Sequence, residues 1–367
     1  MSKGPIMILA GGTGGHVFPG LAVAKEISKS SVSVVWMGTR KGLEAKVVPE
    51  EGIEVEWISV TGLRGRGIMA WVFAPFRLAL ALFQAFMAMR RRRPAAVLGF
   101  GGFVSGPGGV AAWLMGSPLL IHEQNAVAGT TNRILTRFAK HTFQAFPDSF
   151  PKSVDAELIG NPVRSEIVTL YDAYDVSKNR DSVDCIKRLR LLVLGGSQGA
   201  KALNLRVPEA LAELPQNVRP DVWHQAGRGL TEAREAYSKY SLKVRLDDFI
   251  DDMQAAYSWA DLVICRAGAL TIAELSLAGL GAILVPYPYS TDDHQLRNAQ
   301  NFVSGGAGIV IPQNEFTPEK LSKELNRILL DSNSLISIFA NNARAQALPE
   351  ASKNLAKACF QYAGVQT

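Results

Sequence analysis

At 367 residues, 47% hydrophobic and 20% charged, the chain is long enough for two domains with separate cores, and its composition excludes a disordered or fibrous polymer. With 39 Lys and Arg against 33 Asp and Glu it carries +6 at pH 7, a balance that favours anionic partners (phosphates, nucleic acid or an acidic membrane face) without choosing among them. Cys185, Cys265 and Cys359 are odd in number and far apart, which argues against a disulfide framework, a metal-ligand set or a Cys-x-x-Cys motif and for a reducing compartment.

The chain opens on an apolar run, residues 6–10, that reads as a buried strand, with no n-region or h-region of a secretory signal before it. Gly11-Gly12-Thr13-Gly14-Gly15-His16 follows as a turn, and residues 20–30 read as an amphipathic helix. Strand, glycine turn and helix start together build an anion site, because the free N–H groups of a helix start point at the ligand and glycine lets it approach. The turn carries neither Gly-x-Gly-x-x-Gly nor a terminal Gly-Lys-Ser/Thr, and it sets His16 at the mouth of the pocket. Further strands are expected at 32–37, 55–60, 96–100, 118–122 and 141–145, alternating with helices or glycine loops, the pattern of a parallel doubly wound sheet. The second strand ends Trp36-Met37-Gly38-Thr39-Arg40 without the acid of a dinucleotide site, so a nicotinamide enzyme is disfavoured twice over.

Residues 68–89 are long and very apolar, with Arg90-Arg91-Arg92-Arg93 beside them. A spanning helix is opposed by Arg77, Gln84 and Pro75. A buried crossover helix needs fewer bulky side chains than Trp71, Phe73, Phe76, Leu80, Phe83 and Phe86 supply, so a membrane-surface patch is preferred. Gly99–Pro107 is a second glycine loop after a strand, containing Gly101, Gly102 and Ser105. His122-Glu123-Gln124-Asn125 ends another strand and admits two equal readings: contacts to a sugar, or a turn whose polar groups cap the next helix. The pattern stops at Gly160-Asn161-Pro162-Val163-Arg164, and a polar stretch, 171–187, reads as a linker.

The opening design then repeats: strand 190–194, turn Gly195-Gly196-Ser197-Gln198-Gly199-Ala200, helix. Strands follow at 222–225, 243–246, 262–265, 282–285 and 308–311. Two such halves imply a cleft between them. After the strand 262–265, Arg266-Ala267-Gly268-Ala269-Leu270-Thr271-Ile272-Ala273-Glu274 offers backbone for a base or phosphate, and Glu274 either binds ribose hydroxyls or is an ordinary helix-start carboxylate. Asp292-Asp293-His294-Gln295 reads as a solvated loop rather than a metal site. The segment 352–362 is helical in pattern and is expected to pack back on the first half.

Taken together, Gly11–Pro19, Gly62-Leu63-Arg64-Gly65, Gly99–Pro107, His122–Gly129 with Thr131-Asn132, Gly160–Arg164, Gly195–Ala200, Asp252-Met253 with Ala256-Tyr257, Cys265–Leu275 and Gln295 with Asn298-Ala299 resemble the MurG family, the peripheral membrane glycosyltransferases of peptidoglycan synthesis. The resemblance covers nearly the whole chain. It implies a GT-B fold, α/β, with two Rossmann-like doubly wound domains facing an interdomain cleft: residues 1–165 on the acceptor and membrane side, joined by a C-terminal helix at about 348–367, and residues 166–347 binding UDP-GlcNAc. The implied reaction moves GlcNAc from UDP-GlcNAc to the C4 hydroxyl of the muramyl sugar in undecaprenyl-pyrophosphoryl-MurNAc-pentapeptide (lipid I), giving lipid II with inversion.

By the same resemblance, Ser197 and Arg164 would serve the donor diphosphate, Ile250 and the backbone of Ala269, Leu270 and Thr271, continuing through Ile272 and Ala273, the uracil side, and Glu274 the ribose. Gln295 and Asn125 would bind the GlcNAc hydroxyls, with Thr13, Gly14 and Gly15 lining the cleft. That assignment moves the first glycine loop to the acceptor diphosphate, with Gly11, Gly12, Gly101, Gly102 and Ser105. His16 is the candidate base, since an unperturbed imidazole can be neutral and accept a proton near pH 7; positioning of the acceptor diphosphate and a purely structural role are its alternatives. No cofactor or metal is implied, and no nucleic acid. The expected place is the cytoplasmic face of the bacterial membrane, held by anionic lipid and in reach of other cell-wall synthesis proteins. A non-catalytic nucleotide-sugar binding protein remains the second reading.

Overall fold

The computed structural model describes residues 4–60, 74–173, 188–196, 198–330 and 332–365. It divides into two compact units, Met1–Arg164 with Leu348–Thr367, and Ser165–Ala347.

The first unit is built on strands β1 (Ile6–Leu9), β2 (Val34–Gly38), β3 (Glu54–Trp57), β4 (Ala96–Gly99), β5 (Leu119–Glu123), β6 (His141–Gln144) and β7 (Glu157–Leu158), in the order β3-β2-β1-β4-β5-β6-β7. The second carries β8 (Arg190–Leu194), β9 (Asp221–Gln225), β10 (Arg245–Asp247), β11 (Leu262–Cys265), β12 (Gly281–Leu284) and β13 (Gly308–Val310), in the order β10-β9-β8-β11-β12-β13. Every pairing is parallel. Helices cover both faces of such sheets, so central strands read as unbroken apolar runs: Ile6 and Ile8 enter one core and Met7 and Leu9 the other, all fully buried.

The first helix runs over Gly14–Ser28, six residues earlier than the sequence pattern suggests. Thr13 is extended and ends the turn, while Val17, Leu21 and Ala24 bury into the core. That packing outweighs the poor helix propensity of Gly14 and Gly15 and the missing N–H of Pro19. His16 therefore stands in the first turn of the helix rather than in the glycine turn before it. The C-terminal helix, Ala351–Ala363, belongs to the first unit, where Leu355, Cys359 and Phe360 share a core with Val17, Leu21 and Ala24.

Candidate active site

In each sheet the strand order reverses beside the first strand, between β1 and β4 and between β8 and β11. In open parallel sheets, ligands bind beyond the carboxyl ends of the strands at such a reversal. The glycine loops follow these four strands: Leu9 is in register with Gly99, and Leu194 with Cys265.

Beyond β1 the loop is braced from below. Gly12 (φ +94°) donates its amide to Glu44 Oε2 at 2.9 Å, and Thr39 donates its amide and its hydroxyl to Glu44 Oε1 at 2.9 and 2.8 Å. Glu44 is fully buried. The Gly12 amide is thus given to the chain's own carboxylate, though Gly12 itself is exposed, and Gly11 is buried, its Cα so close that a Cβ would come 2.6 Å from Glu44 Oε1. Glu44 escaped the sequence reading because it sits in an ordinary charged stretch with nothing in its spacing to mark it.

His16 is half-buried, with its amide on the Thr13 carbonyl at 3.1 Å and Nδ1 3.3 Å from Thr13 Oγ1. The second loop abuts it: a Cβ on Gly102 (φ +72°) would lie 3.1 Å from the Gly11 carbonyl oxygen and 3.4 Å from His16 Nδ1. Gly101 and Gly102 open the helix Gly102–Leu114. Ser105 is fully buried, with its hydroxyl 2.7 Å from the Gly101 carbonyl oxygen and 2.9 Å from that of Leu9.

The segment after β5 takes the capping form. Glu123 Oε1 accepts from the Asn125 amide at 3.0 Å, and Oε2 from the Gly129 amide at 3.1 Å and Asn132 Nδ2 at 2.8 Å, which holds the start of the helix Thr130–Leu135. Burial raises the Glu123 pKa against these hydrogen bonds. His122 is buried and pushed down to about 4 by desolvation, so it is neutral at pH 7. Its Nε2–H donates to the Gly160 carbonyl at 2.9 Å, and Nδ1 accepts from Gln124 Nε2 at 3.0 Å. Of the four polar side chains only Asn125 is half-exposed. Its Nδ2 also donates to Glu123 Oε1, at 3.3 Å. Arg164 is exposed at the end of the unit.

In the second unit the loop after β8 is closed by backbone: the Gly195 amide bonds the Gln225 carbonyl and the Gly199 amide that of Gly196, both at 2.9 Å. Gly227 (φ +61°) packs so closely that a Cβ there would be 2.3 Å from Gly199 N. Ser197 lies outside the described residues. After β11, Gly268 leads into the helix Ala269–Ala278, and Asn298 Nδ2 holds the turn through the Ala267 carbonyl at 3.2 Å. First-turn amides such as those of Leu270 and Thr271 have no partner carbonyl inside the helix. The Ile272 amide is bonded to the Gly268 carbonyl at 3.0 Å and its side chain is buried; Ala273 is half-buried.

Glu274 lies on the same side of that helix as Leu270 and Thr271, at i+4 and i+3. The hydroxyl of buried Tyr257 donates to its Oε2 at 2.9 Å, an orienting contact the sequence reading passed over. Ile250 and Ala269 are buried. Gln295 accepts the Tyr287 amide on Oε1 at 2.9 Å. Arg266 clamps the same segment, donating to the Val285 carbonyl at 3.0 Å and to Gln313 Oε1 at 2.6 Å. Asp292 and Asp293 are exposed, and among the described residues no group of His, Cys, Asp and Glu could hold a metal ion.

The helix Ala74–Arg92 has an inverted pattern. It buries Ala81, Ala85, Ala88 and Met89, whereas Phe76, Leu80 and Phe83 are 75%, 49% and 61% exposed. Pro75 stands at its second position, where no N–H is needed. No helix among the described residues is long and apolar enough to cross a membrane. Trp71 and Phe73 lie outside the described residues, as does Gly62-Leu63-Arg64-Gly65. The basic run is only partly a surface patch: Arg91 and Arg92 donate to Glu56, and Arg92 pairs also with Glu54. Burial would raise the Glu56 pKa, but the two guanidiniums hold it below the usual carboxylate value. Arg90, Arg91 and Arg93 are exposed, Arg91 while paired with Glu56.

Residues 6–144 match the glycosyltransferase family 28 N-terminal domain, and residues 190–357 the family 28 C-terminal domain. A Nitrosococcus oceani protein named UDP-N-acetylglucosamine–N-acetylmuramyl-(pentapeptide) pyrophosphoryl-undecaprenol N-acetylglucosamine transferase is 52% identical over 98% of both chains. A protein of the same name from Alkalilimnicola ehrlichii is 51% identical over 98% of this chain and 99% of its own. The crystal structure of Acinetobacter baumannii MurG aligns with a TM-score of 0.83 at 39% identity, covering 98% of this chain and 99% of that one. With two parallel-sheet α/β domains of the GT-B class, the chain belongs to glycosyltransferase family 28 and, within it, to the MurG family.

Proposed function

We propose that the protein transfers N-acetylglucosamine from UDP-N-acetylglucosamine to the C4 hydroxyl of the muramyl sugar of lipid I, forming lipid II. The observation that carries this is the 52% identity, over 98% of both chains, with a relative bearing that name. Transfer of radiolabelled GlcNAc from UDP-GlcNAc to a lipid I analogue tests it; nucleotide-sugar binding without turnover would leave only the binding-protein reading.

The second unit binds the donor in this proposal. First-turn amides at Leu270 and Thr271 hold the uracil side with Ile250 and Ala269, Glu274 accepts from the two ribose hydroxyls, and Ser197 and Arg164 meet the diphosphate. Gln295 and Asn125 hold the sugar, and Thr13, Gly14 and Gly15 border it. The acceptor's diphosphate goes to the helix starts at Gly14 and at Gly101–Gly102, where dipole and amides favour anionic oxygen. Inversion is one in-line displacement: the C4 oxygen bonds to the anomeric carbon, the bond from that carbon to the β-phosphate oxygen breaks, UDP leaves with the electron pair, and the hydroxyl proton passes to His16. For Nε2 to accept that proton, Nδ1 carries the hydrogen and donates it to Thr13 Oγ1, 3.3 Å away.

The protein works at the cytoplasmic face of the membrane in this proposal. Phe76, Leu80 and Phe83 enter the lipid boundary, and Arg90 and Arg93 meet anionic headgroups. The support is a helix that turns Ala81, Ala85 and Ala88 inward and Phe76, Leu80 and Phe83 out, although Phe86 packs against the core.

A further inference from the structure

Glu44 is fully buried, and its carboxylate is met by three donors: the Gly12 amide, the Thr39 amide and the Thr39 hydroxyl. A carboxylate is kept in a protein interior only where donors replace its hydration. All three donors belong to the loops that leave β1 and β2. The chain has cleared space for the side chain with glycine: a Cβ on Gly42, Gly11 or Gly38 would come 2.0, 2.6 or 2.8 Å from a Glu44 side-chain atom. Gly12 adjoins Thr13, whose carbonyl accepts the His16 amide and whose hydroxyl lies 3.3 Å from His16 Nδ1.

We infer that Glu44 is a positioning residue for His16: it holds the Gly12–Thr13 turn from beneath, and through that turn it sets the imidazole in the tautomer and direction that proton transfer needs. The carboxylate is fully buried, so it acts through the turn. Its kinetic consequence rests on the proposed role of His16, whereas the setting of the ring can be read independently.

The test uses the full chain labelled with nitrogen-15 in its histidine rings, the His16 signals being assigned by their loss in His16→Asn. Glu44→Gln keeps the volume but puts an NH2 group where an acceptor oxygen stood, so the Gly12 or the Thr39 amide faces another donor. The ring resonances and titration midpoint of His16 should move, while those of His122, His141, His224 and His294 stay. With UDP-GlcNAc and a lipid I analogue, kcat should fall about tenfold to a hundredfold, as for a slightly misplaced catalytic group, with the KM for UDP-GlcNAc unchanged. Glu44→Asp, which restores the charge, should recover part of both. Should Glu44→Gln fail to fold by circular dichroism, Thr39→Val removes one donor and should move both readouts in the same direction, by less. Unmoved His16 resonances in a folded variant, whether or not kcat falls, would overturn the inference. Resonances that move while kcat holds would keep the brace and overturn the base role of His16 instead.

Discussion

In the first unit the glycine turn after β1 closes over a carboxylate of its own chain, whereas in the second the turn after β8 closes over backbone carbonyls. The two share strand order, parallel pairing and the strand–glycine–helix plan, yet present different chemistry at the same topological position. In the first loop the Gly12 amide is given to Glu44, and the turn carries His16 beside Thr13. Beside the second loop, the helix Ala269–Ala278 starts with amides in its first turn and offers Glu274, oriented by Tyr257, as an acceptor for hydroxyls. In the proposed reaction, a glycine loop at a switch point marks where a ligand would go, and the side chains that brace the loop would decide which ligand.

The sharpest way to break this comparison is to remove the histidine. His16→Ala should lower kcat by about 10²- to 10⁴-fold, the usual weight of a general base, with the KM for UDP-GlcNAc little changed; turnover near wild type at saturating acceptor would end the assignment. The donor side should show the opposite split. Glu274→Ala should raise the KM for UDP-GlcNAc by about tenfold or more through loss of hydrogen bonds to a charged group. Tyr257→Phe, which only releases the carboxylate's orientation, should act in the same direction by less, and initial-rate kinetics with both substrates varied would reveal equal effects if the roles were wrong.

Vesicle co-sedimentation divides the basic run. Phe76→Ser with Phe83→Ser, or Arg90→Glu with Arg93→Glu, should weaken binding to anionic vesicles, each exposed arginine counting for about 1 kcal/mol near such a surface. Arg91 and Arg92, paired with Glu56 and Glu54, should matter less for lipid than for thermal stability. Equal losses from the two pairs of arginines would contradict the division.

Acid stability gives the mildest contrast. Burial lowers His122 to about 4 and His224 to about 3, both below the ordinary value of 6.5. Below 6.5 the unfolded chain binds protons that the folded one refuses, so stability falls as pH drops, on the order of 1 kcal/mol per pH unit for each histidine. Glu123, held above its ordinary value by burial, acts in the opposite sense in the first unit. Thermal unfolding followed from pH 6.5 to 5 by hydrogen exchange should therefore show the steeper loss in the second unit, and a flat profile there would refute the buried neutral His224.

Much of the fold was legible because parallel strands covered on both faces must be apolar throughout, and each sits between helices long enough to cross over. Runs such as residues 6–10 and 262–265 leave no other assignment. The loops were legible for a similar reason, since glycine clusters at strand ends have few other uses. Ser105 was not, because a serine beside glycines reads as a ligand contact until burial shows its hydroxyl turned to the Leu9 and Gly101 carbonyls. Arg91 and Arg92 read as surface charge until Glu54 and Glu56, distant in sequence, were brought beside them. The early start of the first helix was hidden by Gly14, Gly15 and Pro19, whose local preferences yield to the packing of Val17 and Leu21.

By itself, then, the sequence determined the alternation of elements, the parallel sheets, the positions of the glycine loops and the family, all of which depend on local pattern and spacing. Only the tertiary structure decided which hydrogen-bonding partner each polar group takes: the Gly12 amide donates to Glu44, His122 to the Gly160 carbonyl, and the Tyr257 hydroxyl to Glu274. It also decided that the final helix completes the first unit's core. Hydrogen bonds and burial pair residues far apart along the chain, and no local pattern carries that pairing.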